Sequence, residues 1–209
     1  MDRKFVESEE FFFYEEKFRK YGIDPKSLGW QKVSQEKRFE KICEIVELRD
    51  KSLLDIGAGF LDLATYISGK KIAIKSYTAL EPMPDFYNLG TTISKQIKSF
   101  KSEIFFDSWE SFESNQKFDI VVAVGVLNLV KVDNYQNLEG FISKFLKFTN
   151  EYLIISLLKT NRIIEHNNLD ESVFFYDPDM VSNLCVRNSL RYSIITNYLP
   201  HDLILKIEV

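Results

Sequence analysis

Two cysteines and two histidines in 209 residues leave little material for disulfide or metal chemistry. Cys43 and Cys185 each sit alone inside an apolar helical pattern, without redox or zinc-ligand spacing, and read as reduced core thiols. With only His166 and His201 to join them, no cluster has metal-ligand spacing, and no metal site is expected. Long apolar runs are missing too. Nothing approaches the ~18 residues that cross a bilayer, and Met1-Asp2-Arg3-Lys4 leads into Glu-rich sequence rather than an apolar leader. The expectation is a soluble, cytoplasmic chain with no membrane partner.

Positive charge is in deficit as well. The 27 basic residues are outnumbered by 31 acidic ones, giving a formal charge of −4 and a pI near 5.4. That balance disfavours a nucleic-acid partner held through its phosphates. Lys70-Lys71 and Lys95, Lys98 and Lys101 are spread among acids and apolar residues and read as solvated faces. Internal repeats and low-complexity segments are also absent.

What is present suffices for one substantial core, since 45% of the residues are apolar and 14% aromatic. Phe11, Tyr14, Phe18 and Tyr21 form a helical stripe within residues 3–21, ended by Gly22. A loop follows from Ile23 to Lys32, and Phe39, Ile42, Cys43 and Val46 then mark a second amphipathic helix. From Lys51 onward, apolar runs at 53–56, 72–80, 103–106, 118–124 and 152–158 alternate with helical patterns. This predicts a parallel sheet with crossover helices. Asp177-Pro178 reads as an N-cap and a first helical position, with Val181, Leu184 and Cys185 continuing that helix. Residues 192–198 and 203–209 are joined too closely for a parallel crossover, so they form an antiparallel hairpin. The predicted fold is α/β, a doubly wound seven-stranded sheet, mostly parallel with an antiparallel C-terminal hairpin, preceded by two N-terminal helices. It divides into an N-terminal helical segment (1–33) and a main domain (34–209).

The segment Ser52-Leu-Leu-Asp-Ile-Gly-Ala-Gly-Phe60 carries the chemistry: a strand runs into Gly57 and Gly59 and then into the helical residues Leu61 to Ile67. Glycines there let backbone approach a ligand, and Asp55 stands at the carboxyl end of the strand. A dinucleotide fingerprint would have glycine or alanine at position 62, where Asp62 instead opposes a diphosphate; no Gly-Lys-Ser/Thr marks a P-loop. Glu81 ends the next strand, placed to accept from both hydroxyls of a ribose.

In Leu54-Asp55-Ile-Gly57-Ala58-Gly59 and Leu80-Glu81-Pro82 the sequence resembles the class I, S-adenosylmethionine-dependent methyltransferases, over residues 39–209. The resemblance implies that Asp55, Gly57, Ala58, Gly59, Glu81 and Pro82 bind S-adenosylmethionine, or its product S-adenosylhomocysteine. It also implies that Asp107, Ser108 and Trp109 meet the adenine, and that Gly125 and Val126 lie beside the methionine part. Asn128 would face the acceptor, His166 would border its pocket, and Tyr14, Tyr21 and Trp30 would form an aromatic lid over the cofactor. An oxygen acceptor would call on His166, His201 or Tyr135 as base, whereas an amine need only arrive deprotonated. The Asn/Asp-Pro-Pro-Tyr tetrapeptide of several amino-methyltransferases is replaced by Val126-Leu127-Asn128-Leu129. Together with the acidic charge, this points to a small-molecule acceptor. Methylation of RNA or protein, and a non-catalytic binding or scaffold role, remain as alternatives. Leu61 departs from the family's third glycine.

Overall fold

Ser52–Ile56 (β1), Ser76–Leu80 (β2) and Lys101–Phe105 (β3) are three parallel strands in register Ser52↔Ser76↔Lys101 to Ile56↔Leu80↔Phe105. They belong to a computed structural model describing residues 3–160 and 171–209. The chain forms two compact units, residues 1–114 and 115–209. In the first unit β1 is buried along its whole length, β2 nearly so, and β3 alternates exposed and half-buried residues, as an edge strand does.

The N-terminal stripe is not one helix. Helix α1 (Arg3–Val6) is separated from α2 (Glu9–Tyr21) by Ser8, whose backbone is extended. The Ser8 hydroxyl donates to the Phe5 carbonyl (2.6 Å) and accepts from the Phe11 amide (3.2 Å). A short polar side chain here supplies the bond that helix continuation would have made. Glu9 and Glu10 lie in the first turn of α2 and Arg19 and Lys20 in the last, as its dipole favours. The predicted loop contains a 3₁₀ turn, Pro25–Leu28, capped by Asp24 and closed by Gly29 at φ 77°. Helix α3 (Lys32–Ile45) buries Gln35, Arg38, Phe39 and Ile42. Helices α4 (Asp62–Gly69) and α5 (Pro84–Ser94) are the crossovers.

Strand β2 starts four residues later than the apolar run predicts. Lys71 has φ 56°, Ala73 accepts from Asp50 and Lys75 donates to Lys51, so 72–75 pack on the turn before β1.

The second unit contains β4 (Phe118–Val124), α6 (Asn134–Phe145), β5 (Thr149–Leu158), α7 (Pro178–Arg187), β6 (Arg191–Ile195) and β7 (Asp202–Glu208). Parallel to β4 on one side and antiparallel to β7 on the other, β5 is covered along both edges. Residues Leu153 to Leu157 are accordingly buried without a break. The hairpin β6–β7 closes the unit, although β6 ends at Ile195 rather than 198. Asp177 caps α7, with Pro178 at its start, as the sequence predicts. The sheet order is β3-β2-β1-β4-β5-β7-β6. Cys185 is buried and Cys43 half-buried; both are free thiols, and burial pushes each up to about 11. No described helix is long and apolar enough to cross a membrane.

Candidate functional site

The glycine loop after β1 takes positive φ at every second residue: Gly57 at 66°, Gly59 at 55° and Leu61 at 59°. Leu61, at the family's third glycine position, therefore adopts the backbone that glycine would adopt. Its fully buried side chain packs beside Gly90 of α5, where a Cβ would stand 3.4 Å from Leu61 Cγ and 2.8 Å from Ile104 Cδ1. Gly57 is exposed, whereas Gly59 is covered by Leu28, whose Cδ atoms lie 3.0 Å from where a Cβ of Gly59 would be. Ala58 is buried and donates to the Leu80 carbonyl (3.0 Å), tying the loop to the end of β2.

Glu81, 3% exposed at that end of β2, accepts the Gly59 amide on Oε2 (2.7 Å) and the Met83 amide on Oε1 (2.8 Å). Loss of hydration pushes its carboxyl up to about 8 against the pull of those two bonds. Pro82 is half-buried beside it. Asp55, also 3% exposed, accepts from the Tyr77 hydroxyl, and burial pushes it up to about 7. Asp62, in the first turn of α4, accepts from Gln35 Nε2 (2.8 Å) and is also raised by burial.

After β3, Asp107 Oδ1 accepts from the Ser108 amide (3.0 Å) and the Ser111 hydroxyl, with Ser108 buried and Trp109 half-buried.

The three lid aromatics part company. Half-buried Tyr14 lies against Phe86 (centroids 6.1 Å), and burial together with Glu10 and Glu81 raises its phenol well above the ordinary range. Tyr21 is 37% exposed on the last turn of α2, with Lys20 and Lys26 amines 5.1 and 5.9 Å from its ring. Trp30 stacks under Arg38, whose guanidinium carbon is 3.9 Å from the ring centre. Arg38 is only 4% exposed, so this cation is held inside the unit. The sequence reading missed it because one charge within a polar helix carries no periodic signal.

In the second unit, Gly125 (φ 79°) ends β4 and donates to the Ser156 carbonyl (3.1 Å), with Val126 half-buried after it. The resemblance turns Asn128 towards an acceptor; in the structure its side chain is 5% exposed and Oδ1 accepts the Leu158 amide (2.9 Å), prolonging the β5 ladder past the end of β4. Asn128 Nδ2 and Ser156 Oγ are buried without a hydrogen-bond partner among the described residues. Tyr176 donates to the Leu127 carbonyl (2.9 Å) and packs with Tyr135 and Phe174. Tyr135 accepts the Asp177 amide (3.0 Å), and burial raises its phenol, which keeps it protonated at neutral pH. His201 is exposed in the turn before β7, and His166 lies outside the described residues.

No family model matches the sequence, and no curated protein does either. The architecture is that of the class I, Rossmann-like methyltransferases. The magnesium protoporphyrin IX methyltransferase of Synechocystis PCC 6803, solved with bound SAH, superposes with a TM-score of 0.68 at 11% identity, over 99% of this chain and 97% of that one. A SAM-dependent methyltransferase from Leishmania major gives 0.69 at 13% identity, over 94% and 83%. The DhpI–SAH complex gives 0.68 at 11%, over 94% and 92%.

Proposed function

We propose that this chain binds S-adenosylmethionine and transfers its methyl group to a small-molecule acceptor, at oxygen or nitrogen. The observation that carries the reading is Glu81: buried, seated on the amide of Gly59, and with one backbone donor on each oxygen. Each oxygen keeps a second acceptor direction for one hydroxyl of a ribose. Asp55, Gly57, Ala58, Gly59 and Pro82 border that position. Arg38 is the buried cation suited to the carboxylate of an amino-acid ligand. Asp107 binds the adenine amine, with Ser108 and Trp109 beside it, while Gly125 and Val126 take the methionine part. Asp62 is compatible with a ligand that carries a sulfonium and no phosphate.

The cofactor supplies an electrophilic methyl group that leaves sulfur by in-line displacement. The chain's part is to bind, align and exclude water. Residues 1–33 serve as the lid: Leu28 lies on Gly59, Phe18 packs on Phe60 and Phe86, and Tyr14 stands near Glu81. Tyr21 and Trp30 are its outer aromatics. Beyond β4, Asn128 shapes the acceptor side through its hold on β5, with His166 nearby in sequence to β5. Support for a small acceptor comes from the acidic charge, the missing Pro-Pro pair after β4, and likeness to an enzyme named for magnesium protoporphyrin IX.

Calorimetric titration of cofactor-free protein with S-adenosylmethionine and S-adenosylhomocysteine tests the reading. Micromolar binding is expected, about −8 kcal/mol, and Glu81→Ala weakens it by about 1–3 kcal/mol through loss of a buried acceptor. Folded protein that binds neither ligand overturns the cofactor reading; unchanged affinity in the variant overturns the role of Glu81.

A further inference from the structure

The first unit holds buried and half-buried carboxylates whose hydrogen-bond partners are all neutral. Asp55 on β1 has the Tyr77 hydroxyl, Glu81 after β2 has the Gly59 and Met83 amides, and Asp62 on α4 has the Gln35 amide. The charged groups bearing on them are mostly acidic as well. Asp62 faces Asp55, Asp55 and Glu10 of α2 face Glu81, and Lys32 of α3 is the cation acting on Asp62. The phenols of Tyr77 and Tyr14, which complete the surroundings, stay protonated. Loss of hydration raises all three carboxylates, Asp55 up to about 7 and Glu81 up to about 8.

A ligand that brings positive charge and hydroxyl donors reverses both causes, favouring the ionised form by attraction and by hydrogen bonding. On the cofactor reading above, S-adenosylmethionine carries a sulfonium and a net charge of +1 at neutral pH, while its product has lost the sulfonium and is neutral. We infer that capture of S-adenosylmethionine expels protons from Asp55 and Glu81, so that the acidic cluster prefers the cationic cofactor to its neutral product by a margin that widens as the pH rises. Each expelled proton passes from a carboxylic acid to solvent, and no covalent bond to carbon or sulfur changes. Both ligands offer ribose hydroxyls to Glu81, so the difference between them reports the charge.

The experiment is titration calorimetry of the full chain with each ligand at pH 6, 7 and 8, in pairs of buffers with different heats of ionisation. S-adenosylmethionine is expected to release about one proton at pH 7 and S-adenosylhomocysteine fewer. The affinity ratio of the two should rise with pH, with a limiting slope of about tenfold per unit for each additional proton released.

Asp55→Asn keeps the side-chain shape but cannot ionise, so it should release fewer protons, whatever the ligand's own amine contributes. Tyr77→Phe keeps the carboxylate and removes its donor, which moves the affinity rise to higher pH. A merely structural tyrosine would lower affinity equally at every pH. Binding without proton release, with a flat ratio from pH 6 to 8, overturns this inference and leaves the cofactor reading standing. Absence of binding at every pH overturns both.

Discussion

Restoring a glycine at position 61 should destabilise the protein, although the family pattern has glycine there. Leu61 is fully buried, and truncating such a leucine to alanine costs about 3–5 kcal/mol, with about 0.8 kcal/mol more for the last methyl. Against this, glycine relieves a left-handed backbone (φ 59°) that costs an ordinary residue about 1–2 kcal/mol. The side chain wins, and Leu61→Gly is expected to lose about 2–5 kcal/mol, combining these terms. Urea unfolding reads this as a lower midpoint at unchanged slope. The same geometry predicts coupling: Gly90→Ala crowds Ile104 against a neighbouring Leu61 in the parent, yet in the Leu61→Gly background Ile104 can swing into the vacated space. The double-mutant cycle should show a favourable interaction of about 0.5 kcal/mol or more. A Leu61→Gly protein as stable as the parent would refute the reasoning, since backbone strain would then outweigh packing.

Asn128→Ala leaves the Leu158 amide without its acceptor and should cost about 1–3 kcal/mol in thermal or urea unfolding. Asp177→Ala removes the cap that accepts the Asp179 amide and should cost about 0.5–2 kcal/mol by the same assay. Without ligand, Asp55 moves from 3.8 unfolded to about 7 folded and Glu81 from 4.5 to about 8, so the folded chain binds more protons than the unfolded one. Their contribution to stability is full below the unfolded values and is lost as pH rises through the folded ones. Melting temperatures between pH 5 and 8 should therefore fall less steeply in an Asp55→Asn/Glu81→Gln double variant than in the parent. Arg38→Ala, which takes the cation off the Trp30 ring, should weaken S-adenosylmethionine binding and change tryptophan emission in circular-dichroism-matched samples.

The parallel strands and the terminal hairpin were legible because buried parallel strands write themselves as short unbroken apolar runs, and the link from Leu199 to Asp202 leaves no room for a crossover. Periodicity failed where one polar bond overrode it: the aromatic stripe runs past Ser8, but the hydroxyl of Ser8 breaks the helix. Likewise Ile72 to Lys75 read as strand, although backbone bonds to the preceding turn hold them. At the candidate site, Asp55, the glycines and Glu81 were legible because strand ends and glycines are local signals. The Tyr77 partner of Asp55 needed the β1–β2 register, and Gly90 beside Leu61 needed the docking of α5 on the loop. Tyr21 shares the spacing of Tyr14 yet ends its helix in solvent, a difference that spacing alone does not encode.

Both tryptophans, Trp30 and Trp109, fall in residues 1–114, and none in 115–209. Intrinsic emission thus watches the melting of one compact unit, while far-ultraviolet dichroism watches both. Superimposable denaturation curves from the two probes mean that the units unfold as one cooperative body, and separated curves give each unit its own stability without a single label being attached.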